Sequence, residues 1–120
     1  MAAGVTIFAG SLVCLDADGY AIPAADTAGL KFAGGDNDRK TNAGQDGDSY
    51  VVVRRFGLRR FKLGHALTQA DVGKQVFVVD DGVVDLVGAT TNDVFAGVLV
   101  NLDTATMGWI DVAPAVALHK

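Results

Sequence analysis

Apolar residues fall in short runs along this chain, and turn residues break them at intervals of about 8–12 positions. Val5 to Phe8 and Leu12 to Leu15 flank Ala9-Gly10. Asp16-Ala17-Asp18-Gly19 then turns the chain into Tyr20-Ala21-Ile22, and Leu30 to Ala33 is a further strand-sized run ending at Gly34-Gly35. Gln75 to Val79 and Val83 to Val87 bracket Asp80-Asp81-Gly82, whose residues favour a tight hairpin. Val94 to Asn101 and Met107 to Val112 read as a closing pair joined across 102–106. Thr68 with Asp71 three residues later outlines one capped turn near 68–72, which Gly73 stops. About eight or nine short strands result, the spacing of a sandwich or a closed barrel.

The segment 50–63 is the hardest to place. Period two puts Tyr50, Val52, Arg54, Phe56, Leu58, Arg60 and Lys62 on one face. Val51, Val53, Arg55, Arg59, Phe61 and Leu63 lie on the other, so neither face is purely apolar. A bulge or bend at Gly57 is the expected repair, since glycine tolerates the backbone a bulge needs. Val76-Phe77-Val78-Val79 and Val94 to Val100 are apolar on both sides, whereas a sheet with one wet face alternates. Their second face is covered either inside a small barrel or by another subunit. The subunit reading is adopted here, because a small barrel has little room to bury both faces throughout.

The chain has 120 residues, enough for one domain, and no linker or internal repeat divides it. Val supplies 17 residues and Thr 8; all 14 acids are Asp, with no Glu, which disfavours a helical bundle. The fold class expected is all-β: a small antiparallel β-barrel or sandwich. Residues 1–9 read as a short N-terminal arm. The Gly-, Asn- and Asp-rich stretch 34–48 reads as a mobile surface loop pointing outward.

Several chemistries are excluded. Cys14 is the sole cysteine, so no disulfide forms within the chain, and its setting suits a small buried hydrophobe. The uncharged stretch 1–15 lacks the basic flank of a signal peptide and is too short to span a bilayer. Neither a phosphate-binding glycine loop nor a dinucleotide fingerprint, Cys-x-x-Cys or Gly-x-Ser-x-Gly is present. The two histidines, His65 and His119, read as a strand-end residue and a frayed terminus. Asp16-x-Asp18-Gly19 and the Asp36, Asp38, Asp46, Asp48 group bring Ca²⁺ to mind, but the first lacks an EF-hand's remaining ligands. Asp and Asn also serve turns through their own hydrogen bonds, the reading preferred for both. No catalytic residue, metal site or cofactor is expected.

Charge is distributed unevenly. The net charge is −4, yet Arg54, Arg55, Arg59, Arg60 and Lys62 place five of ten cations within nine positions, interleaved with Phe56 and Phe61. The rest of the chain sets five cations against fourteen Asp. Three readings stand. The arginine stems pack along a sheet while their heads meet the chain's own Asp residues. They dock on an acidic protein surface, where Arg is a frequent hot-spot residue. Or they bind nucleic acid, which an acidic domain disfavours.

Gly10-Ser11-Leu12-Val13 followed by Asp18-Gly19-Tyr20-Ala21-Ile22-Pro23-Ala24 is similar to the opening of small tailed-phage head proteins that decorate or cement the capsid. Asp71 to Asp81, Ala96-Gly97-Val98-Leu99-Val100 and Trp109-Ile110-Asp111-Val112 continue the resemblance in order, over roughly 4–114. The resemblance implies an all-β, β-tulip-like domain on the virion exterior, made in the host cytoplasm and with no catalysis. It implies as partners the major capsid protein and two further copies in a homotrimer, and neither nucleic acid nor membrane. The arm around Val5, Ile7 and Phe8 would suit strand addition to the major capsid protein. Arg54, Arg55, Arg59, Arg60 and Lys62 would face carboxylates on the shell or a neighbouring protomer. Another structural part of the particle, a head fibre base or tail protein, is the alternative, and a small β-barrel enzyme or ligand-binding module is a further one.

Overall fold

The β-branched runs do form strands, and the chain stacks a closed barrel against a smaller open sheet. The structure, a computed structural model, describes residues 1–36, 38–55, 57–86 and 90–118, with side chains to 115. Phe56, Val87 and His119 lie outside the described residues. The described strands are β1 (Thr6–Ile7), β2 (Leu12–Leu15), β3 (Ala21–Pro23), β4 (Lys31–Asp36), β5 (Lys40–Thr41) and β6 (Val53–Arg54). They continue with β7 (Leu58–Leu63), β8 (Gln75–Val78), β9 (Val83–Leu86), β10 (Phe95–Thr104) and β11 (Met107–Asp111). A single 3-10 turn, Gln69–Asp71, precedes β8, and a helix, α1 (Ala113–Leu118), follows β11.

The barrel closes in the order β10-β11-β7-β9-β8. All its pairings are antiparallel except β7 with β9, where Lys62 and Leu63 run alongside Val83 and Val84. The 3-10 turn and its Thr68–Asp71 capping box lie within the connection that makes this parallel return possible. The expected Asp80-Asp81-Gly82 hairpin joins β8 to β9, with the Gly82 amide bonded to the Asp80 carboxylate. The second sheet has the order β3-β2-β4-β6, and a two-stranded pair, β1 with β5, lies beside it. Gly57 marks the joint between the two sheets. Its φ of +100° allows β6 to end in one sheet and β7 to begin in the other.

Phe61, Leu63, Val76, Val78, Val84, Leu99 and Ile110 are buried on alternating positions of the barrel strands. Phe77 and Phe95 sit opposite each other on β8 and β10, with ring centroids 5.8 Å apart. They belong to the same core as Leu12, Cys14 and Phe32 of the second sheet. The second face of these doubly apolar strands is therefore covered by the chain itself. The subunit seam expected along 76–79 and 94–100 is corrected: two stacked layers give a single chain the cover that a barrel alone lacks. Val100 alone in that segment turns fully outward.

A second core gathers Met1, Ile7 and Val13 with Val5, Ala21, Ala33, Val51 and Val53. The expected free arm is thus folded in: Ile7 is buried and pairs with Lys40 across β1 and β5. The expected loop 34–48 is corrected as well. Gly34, Gly35 and Asp36 are buried in β4. Asn42 is wholly buried, and its amide donates to the carbonyls of Met1, Ala2 and Gln45 while its Oδ1 accepts from the Gly44 amide. A polar sequence looks loose in isolation, but one side chain here satisfies four backbone groups.

Candidate functional site

Strands β7, β10 and β11 form one wall of the barrel, and register decides what it shows to solvent. Arg60 faces Trp109, Leu58 faces Asp111 and Lys62 faces Met107 across the β7–β11 ladder. Trp109 in turn faces Asn101 of β10, next to the bulge that exposes Val100. Leu58 is 54% exposed and Trp109 38%, on rigid strands where apolar side chains ordinarily turn inward. Gly10 of the β1–β2 turn, Leu58, Arg60 and Trp109 border a shallow open depression on this wall.

The cations around this wall differ in what they meet. Arg60 pairs with Asp103 at 2.6 Å, with both side chains nearly half exposed. Such a pair contributes at most about 1 kcal/mol, and mainly fixes where the guanidinium sits. Arg59 turns the other way. It is half-buried and its Nη2 donates to the Asp36 carbonyl oxygen at 2.6 Å. Burial, with Arg54 nearby, lowers the Arg59 pKa, and the charge of Asp36 opposes that shift. Arg54, Arg55 and Lys62 are exposed and form no ion pair among the described residues. The basic cluster therefore divides. Arg59 and Arg60 serve the chain's own fold, while the other three remain available to a partner.

Of the arm residues expected at an interface, Ile7 is excluded by burial, Val5 is half-buried in the second core, and Phe8 is exposed beneath the Arg39 guanidinium at 5.4 Å. Trp109, Leu58, Val100, Tyr50 and Val52 are surface residues that the sequence reading left unassigned. A signal existed for four of them. Tyr50, Val52 and Leu58 are in phase with Arg54, Arg60 and Lys62, and Trp109 is in phase with Asp111. An aromatic or aliphatic residue sharing the period of charged neighbours lies on the wet face.

Other polar groups are committed to turns. Asp16 accepts the amides of Asp18 and Tyr20, and Asp48 accepts that of Gln45. Among the described residues no three metal-ligating side chains converge. His65 does more than end a strand: its Nδ1 lies 2.7 Å from the buried Asp85 carboxylate. Burial pushes the Cys14 thiol up to about 12, outweighing a backbone hydrogen bond from Ala25. No described helix is long and apolar enough to cross a membrane. The chain matches no protein-family model, no curated protein and no solved structure.

Proposed function

We propose that this protein is a non-enzymatic structural part of a tailed-phage particle. In this reading it is a decoration protein that binds the outside of the capsid and reinforces contacts between major capsid subunits. The observation that carries the reading is the barrel wall on which Leu58, Trp109 and Val100 stand exposed beside Arg60 and Lys62. An apolar centre containing Trp, with Lys62 at its side and Arg60 held in place by Asp103, has the composition of a docking surface. Its side chains are held on paired strands, so docking loses little conformational freedom. The segments that resemble head-decorating proteins fall on β2, β3, β8, β10 and β11, strands drawn from both sheets. Trimeric assembly belongs to the same reading. Three linked contacts gain from effective concentration, so each can be weak while the shell is held firmly.

The test uses the full chain with undecorated heads built from the parent phage's major capsid protein. Occupancy is measured by co-sedimentation, and head integrity by the temperature at which DNA is released. Saturable occupancy with a raised release temperature supports the reading. A folded Leu58→Ser, Trp109→Ser variant should lose at least about tenfold in affinity, the loss expected when two apolar anchors worth about 1.4 kcal/mol or more leave an interface. Heads that stay bare in the presence of the wild-type chain overturn the reading.

A further inference from the structure

The segment leading into β6 has the composition of a strand and lacks a strand's second neighbour. Residues 50–54 are Tyr-Val-Val-Val-Arg, a β-branched and aromatic run, yet only Val53 and Arg54 are laddered, to Asp36 and Gly35 of β4. No backbone hydrogen bond joins Tyr50, Val51 or Val52 to another described residue. β6 is the last strand of its sheet, and no second strand pairs with it among the described residues. The Arg54 carbonyl lies against Gly34 of β4. By the alternation of a strand, the N–H and C=O groups of Val53 and Arg55 face the side away from β4.

The side chains alternate as well. Val51 and Val53 pack into the second core, whereas Tyr50 and Val52 are each 82% exposed. A long exposed apolar edge is ordinarily an aggregation hazard, and proteins block it with charge. Here the block is one-signed: residues 49–55 carry Arg54 and Arg55 and no acid, and neither arginine has an ion pair among the described residues.

We infer that this edge accepts an extended segment of another protein, in which an acidic pair adjoins an apolar run, as an added strand of the β3-β2-β4-β6 sheet. Backbone groups of Val53 and Arg55 supply the ladder. Val52, which is exposed beside Val53, takes an apolar residue, and Arg54 and Arg55 take the acids. A second copy of this chain is the poorer occupant, because two such edges would set four arginines side by side with no acid in either edge segment. The role that sequence suggested for the arm 5–8 thus passes to 50–55, since Ile7 of the arm is buried in the second core. The barrel wall bearing Trp109 is a different surface, so the inference holds whether or not that wall meets a capsid.

The test titrates the full-length protein into a fluorescein-labelled synthetic peptide, Asp-Asp-Thr-Val-Thr-Val, and reads anisotropy. The expected result is saturable binding, at least about tenfold weaker for Arg54→Ala, Arg55→Ala and for a peptide with lysines replacing the aspartates. Methylating alternate peptide amides should abolish binding, and backbone amide resonances of 51–55 should shift on titration. Unchanged barrel resonances in the arginine variant establish that it is folded. No saturable binding up to about 1 mM overturns the proposal. So does equal binding of the lysine peptide or of the methylated peptide. Concentration-dependent dimerisation with shifts at 51–55 in the absence of peptide also overturns it, in favour of a second copy.

Discussion

The guanidinium of Arg59 lies across Gly35, with its Nη2 donating to the Asp36 carbonyl oxygen at 2.6 Å, so a barrel strand is tied to the middle of the second sheet. The contact needs a glycine: a Cβ at position 35 would overlap the Arg59 side chain. It also brings a cation to the buried Asp36, whose Oδ1 accepts the Asp38 amide and whose Oδ2 has no hydrogen-bond partner among the described residues. Gly35→Ala should destabilise the protein by about 1–3 kcal/mol through overpacking. Arg59→Ala should cost about 1.5–3 kcal/mol, since it removes a charged donor from the buried Asp36 carbonyl oxygen. Urea unfolding of both variants checks this, and an Arg59→Ala loss below about 0.5 kcal/mol would mean that the tie is unimportant.

Asn42 holds the N-terminus to the 43–48 segment through four hydrogen bonds, two amide hydrogens being shared among three carbonyl oxygens. Asn42→Ala removes the donor to the Ala2 carbonyl and one of two donors to each of the Met1 and Gln45 carbonyls, which keep the Gly47 and Asp48 amides, and should cost about 1–2 kcal/mol. Asn42→Asp should cost more, because it aims a carboxylate at the Met1, Ala2 and Gln45 oxygens. Amide hydrogen exchange distinguishes this role from a general loss of stability. Protection should fall first around residues 2–7 and 40–48, while the barrel amides stay protected.

These two ties show where the sequence was readable. The β8–β9 hairpin is legible because Asp80-Asp81-Gly82 contains its own turn chemistry, and Thr68 and Asp71 signal the 3-10 turn in the same local way. Gly57 is legible as a bend, but not as a change of sheet. The anchoring of 34–48 is not legible, since it depends on Asn42 reaching carbonyls about forty positions away. The parallel β7–β9 pairing has no local signature, because it is set by how the barrel closes. α1, Ala113–Leu118, is six residues long, with no acidic residue in its first turn and no basic residue in its last to mark it. As for the candidate site, period two places Leu58, Arg60 and Lys62 on one face of β7 and Phe61 and Leu63 on the other, but it fails before Gly57, where Arg55 is exposed although in phase with the half-buried Val51 and Val53. What that period could not say was which face the fold would leave wet.

Asp26 clips the 90–92 turn to the loop after β3: its carboxylate oxygens accept the Thr91 and Asn92 amides at 2.7 and 2.8 Å. Those bonds, with the Thr91 amide first, lower its pKa below the ordinary 3.8. A carboxylate with a depressed folded pKa contributes stability that is present above its unfolded pKa and is lost as pH falls through the folded one. The clip should therefore hold from neutrality to about pH 4 and release below that, with exchange at the Thr91 and Asn92 amides rising in step. Asp26→Asn should remove the acid dependence at those two amides and leave it elsewhere.

Cys14 behaves in the opposite sense. Its thiol titrates at about 12 in the folded state against an ordinary 9.0, so the folded chain holds a proton that the unfolded chain gives up. Stability should fall as pH rises from about 9 towards 12, by about 1.4 kcal/mol per unit. At pH 8 the native thiol should resist Ellman's reagent, and react stoichiometrically once urea exposes it. Cys14→Ser should cost stability as well, because it buries a hydroxyl among apolar side chains with the Ala25 amide as its polar neighbour. Rapid labelling of the native protein at pH 8 would show that the site opens.

Trp109 is the chain's one tryptophan and stands on the wall assigned to docking, so the contact can be read from a single ring. In the free protein its indole is partly exposed beside Arg60, and acrylamide should quench its emission readily. Trp109→Phe should change stability by no more than about 1 kcal/mol, since Trp109 belongs to neither buried core. With 5-hydroxytryptophan at this position, emission from this chain is excited apart from the tryptophans of a shell. Binding to heads should then shift the emission to shorter wavelength and cut quenching several-fold, as expected when an interface excludes water from a central aromatic. Heads that bind the chain while the ring stays fully quenchable would place the contact elsewhere, and would leave the Leu58–Trp109 wall without a role in docking.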